Sequence, residues 1–216
     1  FGYDPDSLEH SNYDLFLHKG GVPEGLPGQL LLSTSDERIS LLPSSTALAT
    51  LERQSPGQSG LGLVIAKSLA QLWQDFDYAI IDSPPLLGVL MVNALAASQQ
   101  LVIPVQTEHL AVKGLERMVN TLAMINRSRK QSLAFNIVPT LFDRRTQASL
   151  GTLRVLRDMY PDDIWQGYIP VDTRLRDASR AGVTPSQFDG KSRGVLAYRA
   201  LLKHLLTQQL VPQQVA

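Results

Sequence analysis

The apolar positions of this chain change period repeatedly, and the changes mark out short strands between longer helices. A short helix is expected around Asn12–His18. Arg38-Ile39-Ser40-Leu41-Leu42-Pro43 reads as a strand that breaks at its proline. Thr46–Glu52 and Gly60–Trp73 carry helical spacing, the second with Leu63, Ala66, Leu69, Ala70 and Trp73 on one face. Tyr78–Asp82 is an apolar strand ending in one carboxylate, followed by a helix over roughly Gly88–Ala97. Leu101–Val105 is a wholly apolar strand. It leads into a long amphipathic helix that ends near Arg127, with Ala111, Leu115, Met118, Val119, Leu122 and Ile125 facing one way. A strand over Leu133–Leu141, a helix over Gln147–Met159 and a strand over Trp165–Ile169 follow. Val171–Ala181 holds a loop and a short helix. The last helix, about Gly194–Leu210, sets Val195, Tyr198, Leu202, Leu205 and Leu206 on one side. Strands apolar on both faces and separated by helices predict an α/β fold with a doubly wound, mostly parallel sheet. Neither repeats nor linkers interrupt the pattern, so residues 1–216 are read as a single domain.

Composition changes this picture little. At 216 residues the chain can bury one sizeable core, and 44% hydrophobic with 19% charged residues is ordinary for a soluble globular protein. The opening Phe1-Gly2-Tyr3-Asp4-Pro5-Asp6 has neither the basic nor the apolar region of a signal peptide. Because it does not start with Met, it is expected to come from the middle of a gene product. With zero cysteines, disulfide frameworks, zinc–thiolate sites and iron–sulfur clusters are excluded, and a reducing cytoplasm is the default compartment. Charge does change the picture. Residues 1–110 carry 4 basic and 12 acidic side chains, whereas residues 111–216 carry 16 and 8. The second half can therefore present a basic surface to a polyanion, or simply carry solvated helix faces.

The chemistry gathers at Asp82. A strand that delivers an acid to the carboxyl edge of a parallel sheet, then a turn and a helix, is the second half of a phosphate-loop nucleotide site. Lys19-Gly20-Gly21-Val22 superficially has the start of the first half. It continues as Pro23-Glu24-Gly25-Leu26, without the Gly-Lys-Ser/Thr that reaches phosphate and metal, and is read as a decoy. His10, His18, His109 and His204 show no ligand spacing.

Five stretches together carry a family resemblance. Tyr78-Ala79-Ile80-Ile81-Asp82-Ser83-Pro84-Pro85, with Leu86-Leu87-Gly88 and Asn93-Ala94-Leu95, resembles the Walker B and switch II segment of ParA/Soj-type ATPases within the MinD/ParA class. Ile103–Glu108 followed by Gly114-Leu115 resembles the next strand and helix of that family. Thr140-Leu141-Phe142-Asp143-Arg144-Arg145-Thr146 resembles its "TMYDxRT" loop. Ile169-Pro170 with Arg174-Leu175 and Ala178 is similar to "IPRxxRLxEA". Phe188-Asp189-Gly190-Lys191-Ser192-Arg193-Gly194 with Ala197-Tyr198 is similar to "YDPxSxGAxAY". The family's "KGGxGKT" Walker A loop and its acidic switch I have no counterpart here. The chain thus resembles a family member that lacks its first β-α-β unit, and these residues alone are not expected to hydrolyse ATP.

The resemblance implies ATP and Mg²⁺ as cofactors and ATP hydrolysis by the intact protein. Asp82 would be the catalytic carboxylate and hold the Mg²⁺ shell, directly or through water. Ser83, Pro84, Pro85 and Gly88 would form switch II. Thr140, Asp143, Pro170, Val171 and Asp172 would contact the adenine and ribose. Arg174 is the leading candidate for non-specific DNA binding, with Arg144, Arg145, Arg176 and Arg193. Further implied are an ATP-dependent homodimer and a ParB-like or chemotaxis-associated stimulating partner. Chromosome, plasmid or polar chemotaxis cargo would be positioned at the nucleoid or cell pole. The alternative is a non-catalytic interaction module, or a MinD/FlhG-like regulator of pole or flagellar organisation. The tail Gln208–Gln214 lacks Lys and Arg, which argues against membrane anchoring.

Overall fold

The computed structural model describes residues 1–54, 60–84, 88–129 and 132–209. Pro85 and the tail beyond Gln209 lie outside them. The chain falls into two compact units, Phe1–Gln99 and Gln100–Ala216.

The first unit opens with a 3-10 turn over Asn12–His18. Ser11 starts it with a capping box, its hydroxyl accepting from the Tyr13 amide at 3.2 Å while the Asp14 carboxylate accepts from the Ser11 amide at 3.0 Å. This turn delivers Leu15 and Phe16 to a core shared with Leu30, Leu48, Leu51, Leu61 and Val64. Lys19 and Gly20, at φ 50° and 82°, end the turn in the left-handed region. A Cβ at Gly20 would lie 2.4 Å from the Gly60 carbonyl oxygen, so only glycine fits there. The chain then forms α1 (Leu26–Gln29) and a small antiparallel pair, β1 (Leu32–Ser33) with β2 (Ser40–Leu41). The strand expected over 38–43 is thus reduced to Ser40 and Leu41.

Three further helices complete the unit, α2 (Leu48–Gln54), α3 (Val64–Gln71) and α4 (Val89–Ala97). The buried face of α3 differs from the expected one. Val64 and Ser68 point inward, as does Leu72 just beyond it, while Leu63 and Trp73 are exposed. The helix proper starts at Val64 after a 3-10 turn over Leu61–Leu63, which rotates the register and lets Ser68 Oγ satisfy itself on the Val64 carbonyl at 2.9 Å.

The largest departure is at 78–82. The expected buried strand has no ladder among the described residues, and Ile80 is 96% exposed. An all-apolar strand is stable only when a neighbour pairs each edge and a layer covers each face. No described strand pairs with this stretch, so its composition is strand-like while it joins no ladder among the described residues.

In the second unit β3 (Gln100–Gln106) pairs parallel with β4 (Ala134–Thr140), Gln100 opposite Ala134 and Gln106 opposite Thr140. The 20-residue helix α5 (His109–Ser128) makes the crossover and buries Leu115 and Leu122 of the face its spacing predicts, together with Val112, which was not expected on it. On β3, Ile103 and Val105 are buried but Val102 and Pro104 are exposed, so only one of its apolar faces is covered. The stretch expected as a strand over 165–169 runs beside β4 with parallel bridges at its two ends, Ile137 to Ile164 and Phe142 to Pro170, rather than as a continuous strand. Helices α6 (Gln147–Met159), α7 (Thr173–Arg180), the short α8 (Pro185–Asp189) and α9 (Arg193–Gln209) complete the unit. Val195, Leu201 and Leu205 of α9 turn inward, with Leu201 and Leu205 packed against Val138, Trp165 and Ile169. Tyr198 and Leu202, expected on that packed side, are exposed, because burial follows the 201/205 line and not the 198/202 line.

Candidate functional site

Asp82 stands at the end of this apolar stretch, exposed, with no hydrogen bond or ion pair to any described residue. Ser83 and Pro84 follow it, and Gly88 begins α4 in extended backbone, φ −133° and ψ −170°. Gly88 brings no side-chain cap hydrogen bond to the start of α4. Asp82 and Ser83 border a cavity of about 520 Å³. Its other walls are mainly apolar, with Phe16, Leu48, Ile65 and Leu90, plus Asn12, whose side-chain oxygen is buried without a partner among the described residues.

Another lining residue of this cavity, Asn93, has a role that composition did not announce. Asn93 is fully buried within the otherwise apolar helix α4. Its side-chain oxygen accepts from the Ile65 amide at 3.1 Å, and its amide group donates to the carbonyls of Leu61 at 2.6 Å and Val89 at 2.8 Å. One side chain therefore ties α4 to the start of α3. The available signal was a single polar residue inside Val89-Leu90-Met91-Val92-Asn93-Ala94-Leu95.

The second group of expected site residues lies in the other unit, and the structure brings its members together. After Thr140, whose carbonyl accepts from the Thr107 amide at 3.1 Å, Leu141 turns the chain with φ 49°. Phe142 then donates to Ile169 and accepts from Val171, both at 3.1 Å, which sets Thr140–Asp143 beside Pro170–Asp172. The rings of Phe142 and Tyr168 stack with centroids 4.2 Å apart. A non-glycine residue in the left-handed region is uncommon and marks a place where backbone shape is held by its surroundings.

Both acids here are already engaged. Asp143 is gripped by Arg145, Nε to Oδ1 at 3.0 Å and Nη2 to Oδ2 at 2.7 Å, which holds its carboxyl down at about 2. Asp172 Oδ2 accepts from the Gly194 amide at 2.7 Å and Oδ1 from the Arg174 amide at 3.0 Å, the first of these doing most to lower its pKa.

The basic candidates separate in the same way. Arg145 is spent on Asp143, Arg174 Nε lies 3.6 Å from Asp189, and Arg193 reaches the Val171 carbonyl at 3.4 Å. Arg144 and Arg176 are exposed and carry no ion pair among the described residues.

Residues 2–135 match the family described as AAA domain. The chain belongs to that family, in its ParA/Soj class of partition ATPases. It is 28% identical over 205 residues to the sporulation initiation inhibitor protein Soj of Bacillus subtilis, covering 94% of this chain and 79% of that one. To the chromosome-partitioning ATPase Soj of Treponema pallidum it is 25% identical over 197 residues, 91% of this chain and 76% of that one. Among solved structures it resembles one described as cobyrinic acid a,c-diamide synthase from Mycobacterium smegmatis with bound ATP analog and magnesium. That match has a TM-score of 0.79 and 32% identity, and covers 99% of this chain and 78% of the other.

As a ParA/Soj-class protein the chain has the α/β P-loop NTPase fold, with a parallel sheet, and the Mycobacterium smegmatis structure it resembles holds an ATP analog and magnesium, the cofactors expected here. The residues fit those cofactors. Mg²⁺ takes hard oxygen ligands, commonly one or two carboxylates with water and phosphate, and Asp82 offers an uncommitted carboxylate next to the Ser83 hydroxyl.

Proposed function

We propose that this chain supplies the switch II and base-side parts of a ParA-type ATPase that positions DNA or another large cargo. Asp82 would hold the Mg²⁺ shell, directly or through water, and orient the reacting phosphate end. Ser83, Pro84, Pro85 and Gly88 would respond to the γ-phosphate through α4. Thr140, Asp143, Pro170, Val171 and Asp172 would form the base-side wall. ATP binding would drive homodimerisation, and the dimer would hold DNA through guanidinium groups without reading bases. Arg144 and Arg176 are better suited to that task than Arg145 or Arg174, whose guanidinium groups already face carboxylates. A stimulating partner, ParB-like or associated with chemotaxis arrays, would trigger hydrolysis and release at the nucleoid or pole.

The observation that carries this reading is Asp82, an exposed acid with no hydrogen bond or ion pair to any described residue, bordering a cavity and shortly before α4 in sequence. DNA retention by the full-length protein tests it. Retention should require ATP and Mg²⁺, fall steeply between low and moderate salt, and be indifferent to DNA sequence. Retention unaffected by nucleotide and salt would replace the partition mechanism with the interaction-module reading. Turnover that depends on a cobyrinic acid substrate would replace it with a synthase.

A further inference from the structure

The loop Pro170–Asp172 is tied to two helices by one carboxylate. Asp172 Oδ1 accepts from Arg174, the second residue of α7, and Oδ2 accepts from Gly194, the second residue of α9 and 22 positions away. The distances, 3.0 Å and 2.7 Å, are those of hydrogen bonds to a charged acceptor. A second, steric observation agrees with the first. A Cβ at Gly194 would lie 2.9 to 3.1 Å from three atoms of the Leu175 side chain, so α9 approaches α7 this closely only because Gly194 has none. Arg193 adds a third link, donating to the Val171 carbonyl at 3.4 Å.

The geometry points to Asp172 as a positioning residue, a clasp that fixes the base-side loop against the first turns of α7 and α9, and not as a group that bonds the ribose. With each oxygen held by a backbone amide, the carboxylate already has a structural task that needs no sugar hydroxyl. Losing the clasp would let Pro170 and Val171 drift from Phe142, so that the whole nucleotide binds less tightly and its sugar is read no differently. The nucleotide half of this inference rests on the reading above. The clasp itself does not.

The test uses Asp172→Asn in the full-length protein. Asparagine keeps Oδ1 for Arg174 but turns an amide group towards the Gly194 N–H, so only the α9 half should fail. Amide hydrogen exchange at Gly194 should speed up about fivefold, the factor given by about 1 kcal/mol of capping energy, while Arg174 keeps its protection. ATP and 2′-deoxy-ATP should both weaken, by the same factor. Thr184→Ala, which removes the capping box of α8 in the same unit, should lower stability and leave both affinities unchanged. Unchanged exchange at Gly194 would overturn the clasp. Weaker ATP with unchanged 2′-deoxy-ATP would overturn it in favour of a ribose contact. If the unsubstituted protein binds neither nucleotide, the ATPase reading falls, and the exchange at Gly194 still decides the clasp.

Discussion

Replacing Asn93 by Ala should be among the costliest single changes in the first unit. The side chain is fully buried and makes three hydrogen bonds, to Ile65 N–H, Leu61 C=O and Val89 C=O. Val89 C=O keeps its place in the helix ladder of α4, so its loss is small. The Ile65 amide and the Leu61 carbonyl are left without that partner, and each orphan in a dry interior costs about 1–3 kcal/mol. The sum is about 2–6 kcal/mol, a large part of what a domain of this size has to lose. Asn93→Asp should be worse than Ala near neutral pH, because it keeps the acceptor for Ile65 but turns a carboxylate on two carbonyls. Urea unfolding of the full-length protein, followed in the apo state, measures both. A shift worth less than about 0.5 kcal/mol for Asn93→Ala, with an unchanged m-value, would refute the account of α4 as pinned to α3. Because α4 directly follows the segment proposed as switch II, the variant should also blur any nucleotide-dependent change that this helix undergoes.

Three further changes probe the second unit. Gly194→Ala should cost about 1–3 kcal/mol in thermal or urea unfolding, since its Cβ must push back the Leu175 side chain. Thr146→Ala removes the hydroxyl that accepts from the Ser149 amide at the start of α6, and should cost about 1 kcal/mol in the same assay. The Asp143–Arg145 pair should leave a pH signature. Arg145 lowers the Asp143 pKa from the ordinary 3.8 to about 2, so its stabilising effect is complete above about pH 4 and lost as pH falls through about 2. The gap in unfolding midpoint between the unsubstituted protein and Arg145→Ala should be constant above pH 4 and close below 2. A gap that widens towards acid would contradict this.

Much of the second unit was legible in the sequence because its elements satisfy themselves locally. The helix over Gln147–Met159 has its cap, its apolar stripe and its end written into consecutive residues. The amphipathic stripe of α5 selects the face that is buried. Tyr78–Asp82 shows the opposite case. Its apolar composition specifies a strand, yet pairing is a property of neighbours, and none among the described residues supplies an edge. The α3 and α9 faces were misassigned for a related reason. Helical spacing leaves two adjacent stripes nearly equivalent, and contacts with other elements choose between them, as Leu201 and Leu205 against Trp165 do on α9. At the candidate site, residue types drew attention to Thr140–Asp143 and Pro170–Asp172, which the structure sets side by side, but could not reveal how far their acids were already occupied. A carboxylate in a motif reads the same whether it faces a ligand or two backbone amides.

The central claim is that Asp82 is a metal-holding carboxylate of a ParA-type ATPase, and Mg²⁺-dependent ATP hydrolysis by the full-length protein tests it most directly. Asp82 makes no hydrogen bond or ion pair to a described residue, so Asp82→Ala should leave the unfolding midpoint nearly unchanged while hydrolysis falls by about 100-fold or more. Hydrolysis that persists at the unsubstituted rate in a folded Asp82→Ala protein would contradict the account.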